Sequence, residues 1–193
     1  MASDPSTPYP PIADYALIGD CHSAALVSRA GSIDWCCLPR FDSDPCFGRL
    51  LDWQRGGCFV VAPPADAQCR TQRTYLTGTL VLETVFTNGD AQAKLIDLFA
   101  MRKGGRLHPR RRLLRIVEGV RGRMPMQVRF SPRFDFGEVK PWIQSRSPTR
   151  HCAGSTPPIW FAASSIRSRR RLRYAPVSQC ASSPEPERPS LPS

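Results

Sequence analysis

The stretch TLVLETVFTNGDAQAKLIDLF, Thr79–Phe99, decides the fold. Asn88-Gly89 stands between two runs of strand-forming residues, and both residue types tolerate the positive φ that a type I′ turn demands. The spacing predicts a β-hairpin of Thr79–Thr87 with Ala91–Phe99. Residues 79–86 are nearly continuously apolar, which predicts a strand covered on both faces. Leu95, Ile96, Leu98 and Phe99 make its partner less regular.

Upstream of this hairpin, Tyr15–Ile18 and Ala24–Val27 are short apolar runs bounded by Gly19-Asp20 and Ala30-Gly31. Ser32–Leu38 reads as a strand that stops at Pro39, since the residue before a proline is pushed to extended backbone. Phe47–Asp52 reads as one helical turn, and Cys58–Val61 as a strand closed by Pro63-Pro64. Downstream, Leu113–Val120 is a further strand. Met124, Met126, Val128 and Phe130 alternate with Pro125, Gln127, Arg129 and Ser131, a period of two that fits a half-buried strand. Gly119-Val-Arg-Gly122 reads as a turn; no helix follows it, so it is not a phosphate loop. Few segments repeat with helical periodicity. The fold class is therefore all-β, an antiparallel β-sandwich.

Charge and composition divide the chain into three parts. Residues 1–11 are a Pro- and Ser-rich lead-in, 12–142 are the sandwich, and 143–193 are a tail of different character. The net charge of +11 points at first to a polyanion partner. Residues 143–193 hold 8 Arg against 2 Glu, so more than half of that excess sits in the tail and the body is only mildly basic. The tail's 11 Ser and 8 Pro surround one apolar nucleus, Ile159–Phe161. It cannot bury enough surface to offset about 1–2 kcal/mol of backbone entropy per ordered residue, and it is expected to be disordered. A G+C-rich coding region read out of frame gives such a composition, and the tail is read as the mark of a frameshifted or truncated gene product rather than as an evolved basic tail.

The eight cysteines make no C-x-x-C pair. Cys21 and His22 with Cys36, Cys37 and Cys46 do not match the spacing of a zinc module, and they are read as thiols, buried and reduced, rather than as a metal site. No cofactor is expected. No secretory signal and no apolar stretch long enough for a membrane span are visible, so the expected location is the cytoplasm and no membrane partner is expected. Arg110–Arg112 and Arg169–Arg171 lack the interleaved aromatics of a single-strand binding face, which argues against a nucleic-acid partner. His108 and His151 are isolated, and no nucleophile–His–acid set can be assembled.

Several blocks, GSIDWCCLPRFDS (31–43), GTLVLETVF (78–86), RIVEGVRGRMPMQVRFSPRFDFG (115–137) and VKPW (139–142), carry a family likeness. Together they resemble the N-terminal domain of bacterial glucoamylase- and trehalase-like members of glycoside hydrolase family 15. Cys36-Cys37 stands where those proteins have a Leu-Cys pair. The resemblance implies a large antiparallel β-sandwich, then a linker, then an (α/α)6 barrel that cleaves terminal α-glucosidic bonds with inversion. One barrel glutamate protonates the leaving oxygen while another activates water. No residue of this chain matches either glutamate. The chain is read as stopping short of the barrel: an incomplete sandwich, with exposed edges, without catalysis of its own.

Within residues 1–142 the glutamates are Glu83, Glu118 and Glu138, read as solvent-facing or edge carboxylates. Asp34, Asp42 and Asp44 are better placed for contacts than for acid–base chemistry. The Trp35–Ser43 stretch carries the candidate site residues Trp35, Arg40 and Asp42. An indole beside an arginine and a carboxylate can stack on a sugar face and bond its hydroxyls. The same loop can dock on a barrel, or Arg40 and Asp42 can tie the loop while Trp35 fills the core. The implied partners are the barrel and an α-glucoside. The competing functions are a free-standing carbohydrate-binding or regulatory module and a basic nucleic-acid-binding protein.

Overall fold

The computed structural model describes residues 9–101, 103, 109–146 and 149–153. They form two facing antiparallel sheets and a separate hairpin, with no α-helix among the described residues. The first sheet runs in the order β1 (Tyr15–Gly19), β2 (Ala24–Ser28), β3 (Ser32–Cys37), β5 (Cys58–Ala62), β10 (Gln127–Ser131), with β4 (Pro45–Phe47) also paired to β3. The second runs β6 (Arg70–Tyr75), β7 (Leu82–Asn88), β8 (Ala91–Phe99), β9 (Leu113–Arg121). β11 (Trp142–Arg146) and β12 (Thr149–Ala153) pair with each other, and apart from Trp142 they lie in the segment expected to be disordered. The Ile159–Phe161 nucleus and the basic run Arg169–Arg171 lie outside the described residues.

The deciding hairpin forms, with a different turn. Asn88 pairs with Ala91, so the two central residues are Gly89 and Asp90. Only Gly89 has positive φ, at 54°. That is the pattern of type II′, which needs glycine first, and not of type I′, which needs positive φ twice. The expectation that both faces of β7 are covered is also corrected. Leu82, Thr84 and Phe86 are buried, while Glu83, Val85 and Thr87 are half-buried on the other face, where Glu83 meets Lys94 at 2.9 Å. The ladder starts only at Leu82, and alternation then sends every second side chain outward. Residues 47–52 form a single hydrogen-bonded turn, Gly48 O accepting Leu51 N at 2.9 Å and Asp52 N at 3.4 Å. The expected turn at Gly119–Gly122 belongs to β9 up to Arg121, with a register shift opposite Gln92/Ala93.

Two apolar clusters fill the space between the sheets. One gathers Ile18, Val27, Ile33, Cys36 and Phe47 with Leu82 and Phe99 from the second sheet. The other joins Val61 to Phe86, Leu95, Met124 and Met126. Phe59 touches both, lying edge-on to Phe130 at 5.1 Å.

Long polar side chains close the open sides of the sandwich by reaching main-chain carbonyls of the other sheet. On one side Arg73 donates to Val27 O at 3.1 Å and Tyr75 to Leu17 O at 2.8 Å. On the other, Arg115 of β9 donates to Phe59 O at 2.5 Å and Gly31 O at 2.8 Å. Its guanidinium also holds Asp97 through two bonds, at 2.7 and 3.1 Å, and lies 4.9 Å from the centre of the Phe59 ring. Both charged side chains are buried, 2% and 0% exposed. Such a pair persists in a low-dielectric interior only because nearly every donor finds an acceptor.

Candidate functional site

The segment leaving β3 is built on a turn at its flank. Asp20 Oδ1 accepts the N–H groups of His22 (3.0 Å) and Ser23 (2.8 Å), and this short acceptor lets Cys21 take the left-handed conformation, φ 68°. Ser23 Oγ then donates to Pro39 O at 2.8 Å, and Phe41 N donates to His22 O at 2.7 Å. The loop is therefore strapped down at two points. At its tip Arg40 grips Asp42 with two of its three guanidinium nitrogens, Nε–Oδ1 2.7 Å and Nη2–Oδ2 2.9 Å. The Arg40 hydrogen bond holds the Asp42 carboxyl below its ordinary value, and Asp42 raises Arg40 in return. Both groups are exposed, so the pair orders the tip and adds little stability.

The structure brings Arg40 and Asp42 together. Trp35 lies within β3 opposite Leu26, half-buried. A shallow cavity of about 380 Å³ opens beside the loop instead, lined by Cys21, His22, Arg40, Phe41, Pro109 and Arg111. Phe41 is 65% exposed there. The sequence reading passed over Phe41, although an aromatic between two charged loop residues has no partner inside a strand to hide against.

Asp34, read as a contact carboxylate, is buried and structural. Its carboxylate accepts Ser32 Oγ at 2.5 Å and Tyr15 OH at 2.8 Å, and Arg49 lies 3.5 Å away. Arg49 in turn covers the Trp53 ring at 4.1 Å, and Tyr9 of the lead-in meets that ring edge-on while its hydroxyl accepts the backbone N–H of Trp53. Asp34 is buried because β3 is a central strand and the turn after β4 folds over it. Glu83 and Glu138 carry salt bridges to Lys94 and Arg55 on outer surfaces, and Glu118 is exposed. Cys36, Cys37, Cys46 and Cys58 are buried thiols, Cys21 is exposed and Cys69 is in between.

Burial and the neighbouring Asp34 raise the Tyr15 hydroxyl well above its ordinary value, and burial pushes Cys37 up to about 11. Both groups keep their protons longer in the folded state. Their contribution is complete below the unfolded values, about 9 for the thiol, and is lost as pH rises through the folded ones. Urea midpoints are expected to fall steadily from pH 9 upward. Cys37→Ala removes the earlier part of that fall, and a midpoint that holds level to pH 11 contradicts the assignment.

A matching family model covers residues 6–170, and it describes the trehalase-like N-terminal region. The chain belongs to that family, the N-terminal part of glycoside hydrolase family 15 trehalases. Among curated relatives, a trehalase from Mycolicibacterium smegmatis is 34% identical over 146 residues, which cover 68% of this chain and 22% of that protein. A trehalase from Thermoplasma volcanium is 33% identical over 138 residues, covering 70% and 22%. Trehalase 1 of Sulfolobus acidocaldarius is 32% identical over 129 residues, covering 67% and 21%. The chain thus spans about a fifth of the length of these relatives. No solved structure matches it.

Proposed function

We propose that this chain is a non-catalytic N-terminal module of a glucoamylase- or trehalase-type hydrolase, serving α-glucoside breakdown by docking on a catalytic barrel. The observation that carries this reading is the family match combined with where the carboxylates sit. Glu83 and Glu138 face outward in salt bridges with cations, and Asp34 and Asp97 are buried hydrogen-bond hubs. None of these has the paired geometry of an acid and a base flanking a glycosidic bond. The strapped loop at Arg40–Ser43, with Phe41 exposed beside the cavity, is the docking element. The contact residues of this proposal are Arg40 and Asp42, with Trp35 positioning the strand behind them. A sugar-contact role for the same loop predicts trehalose binding insensitive to salt.

The test is glucose release from trehalose and maltose by the purified chain. The expected result is none above a protein-free control. Turnover of about 1 s⁻¹ or more, the lower end of enzyme rates, overturns the non-catalytic reading. Location in the cytoplasm belongs to the same proposal, and the free thiols of the core fit a reducing compartment. So does the shifted-frame origin of the Arg/Ser/Pro-rich segment, which has to be reconciled with a family match reaching residue 170. Sequencing the gene from codon 140 in all frames decides it: a barrel sequence in another frame supports the origin, and its absence sinks it.

A further inference from the structure

Where β6 reaches over β1, a cavity of about 240 Å³ opens, lined by Tyr15, Ala16, Arg29, Arg73, Tyr75 and Leu82 among others. Arg73 is half-buried there. Arg49 and Arg115 are also withdrawn from water, and each has a carboxylate beside it. Arg73 has none within ion-pair distance among the described residues, and its one hydrogen bond there runs from Nη1 to Val27 O. Its Nε and Nη2 are unused. That edge of the guanidinium is the one that holds a carboxylate elsewhere in this protein. Arg40 gives Nε and Nη2 to Asp42, and Arg115 gives the same two nitrogens to Asp97.

Burial, and after it the charge of Arg29, lower Arg73 from its ordinary value. Asp14 and Tyr75 act the other way, but Asp14 is already held by Arg29 at 3.0 Å. Two guanidiniums against one carboxylate leave one positive charge unbalanced. Directly across the ladder from Arg73 stands Thr84, 0% exposed, whose hydroxyl has no hydrogen-bond partner among the described residues. Buried polar groups are as a rule hydrogen-bonded, so two facing positions of β6 and β7 carry polar groups short of a partner.

We propose that this cavity binds a small-molecule monocarboxylate, seated on the Nε–Nη2 edge of Arg73 with Arg29 beside it. A planar carboxylate matches that fork with two parallel hydrogen bonds. Its single negative charge balances the single excess positive one, which a doubly charged phosphate overshoots. Tyr15, Ala16, Tyr75 and Leu82 supply apolar wall, so the body of the ligand is a short alkyl or a single aryl group. The site uses no residue of the Arg40–Ser43 loop and does not depend on the docking reading.

Proton–nitrogen NMR of the full 193-residue chain, titrated with sodium benzoate at constant ionic strength, tests this. The Arg73 Nε–H signal and the amides of residues 15–17 and 73–75 are expected to shift and to saturate. Benzamide, the uncharged analogue, is expected to bind at least about tenfold more weakly. Arg73→Gln is expected to abolish the shifts. Because it also removes the bond to Val27 O, Arg29→Gln, a change at an exposed side chain, is read beside it and is expected to weaken binding about twofold or more. Shifts no larger than those from sodium chloride, equal binding of benzamide, or unchanged binding in whichever of the two variants is folded overturns the proposal. Inorganic phosphate binding more tightly than benzoate overturns the choice of a carboxylate.

Discussion

Arg115→Ala is expected to lower the unfolding free energy by about 3–5 kcal/mol, the usual loss when one member of a buried ion pair is removed. The substitution leaves Asp97, with 0% of its side chain exposed, as an uncompensated buried carboxylate. It also strips the donors from the carbonyls of Phe59 and Gly31, the direct hydrogen bonds between the sheets on that side. Arg115→Lys restores a charge near Asp97 but cannot serve two carboxylate oxygens and two carbonyls at once, so it recovers only part of the loss. The double variant Arg115→Met with Asp97→Leu removes both charges and is expected to be more stable than Arg115→Ala alone. Urea unfolding followed by tryptophan fluorescence reads all three. A loss for Arg115→Ala below about 1 kcal/mol, the range of an exposed pair, means that the clamp is not formed.

The second large effect is expected at Asp34. Asp34→Ala deprives Tyr15 OH and Ser32 Oγ of their acceptor and leaves Arg49, 14% exposed, facing an empty site. Each stranded buried donor costs about 1–3 kcal/mol, so a total loss of about 3 kcal/mol is expected after partial rehydration. Asp34→Asn keeps the shape and one acceptor oxygen and is expected to fall between the wild type and Asp34→Ala. Tyr15→Phe in the Asp34→Ala background is expected to cost nearly nothing further, because the phenol has already lost its partner. A fully additive second loss contradicts the shared hub.

Where alternation or a turn residue marked a strand, the sequence was legible. The hairpin of β7 and β8, the short strands β1, β2 and β3, and the closure of β5 by Pro63 all follow from local chemistry. β6 was not legible: Arg-Thr-Gln-Arg-Thr-Tyr has no apolar face, because its inward positions carry the long polar chains that cross to β1 and β2. Asp34 could not be distinguished from Asp42 either, since both are polar residues in one motif. What separates them is the turn after β4 that covers one and not the other, a contact that sequence spacing does not encode. Arg115 did leave a trace: a single charge at an inward position of an otherwise apolar strand, Leu-Leu-Arg-Ile-Val, needs a buried counter-charge. Asp97, in the same situation on the neighbouring strand, is the residue that supplies it. The candidate loop was legible in part, its Arg40–Asp42 tie being local, whereas the cavity beside Phe41 depends on Arg111 from a distant segment.

The Arg115 clamp also sets a clock on biosynthesis. Its bond to Gly31 spans 84 residues of sequence. At a translation rate of 5–20 residues per second, roughly 4–17 s separate the appearance of the β2–β3 turn from that of the side chain that locks it. Part-way through that interval β6, β7 and β8 emerge and cover the apolar side of the nascent first sheet, but the side that Arg115 closes stays open until the interval ends.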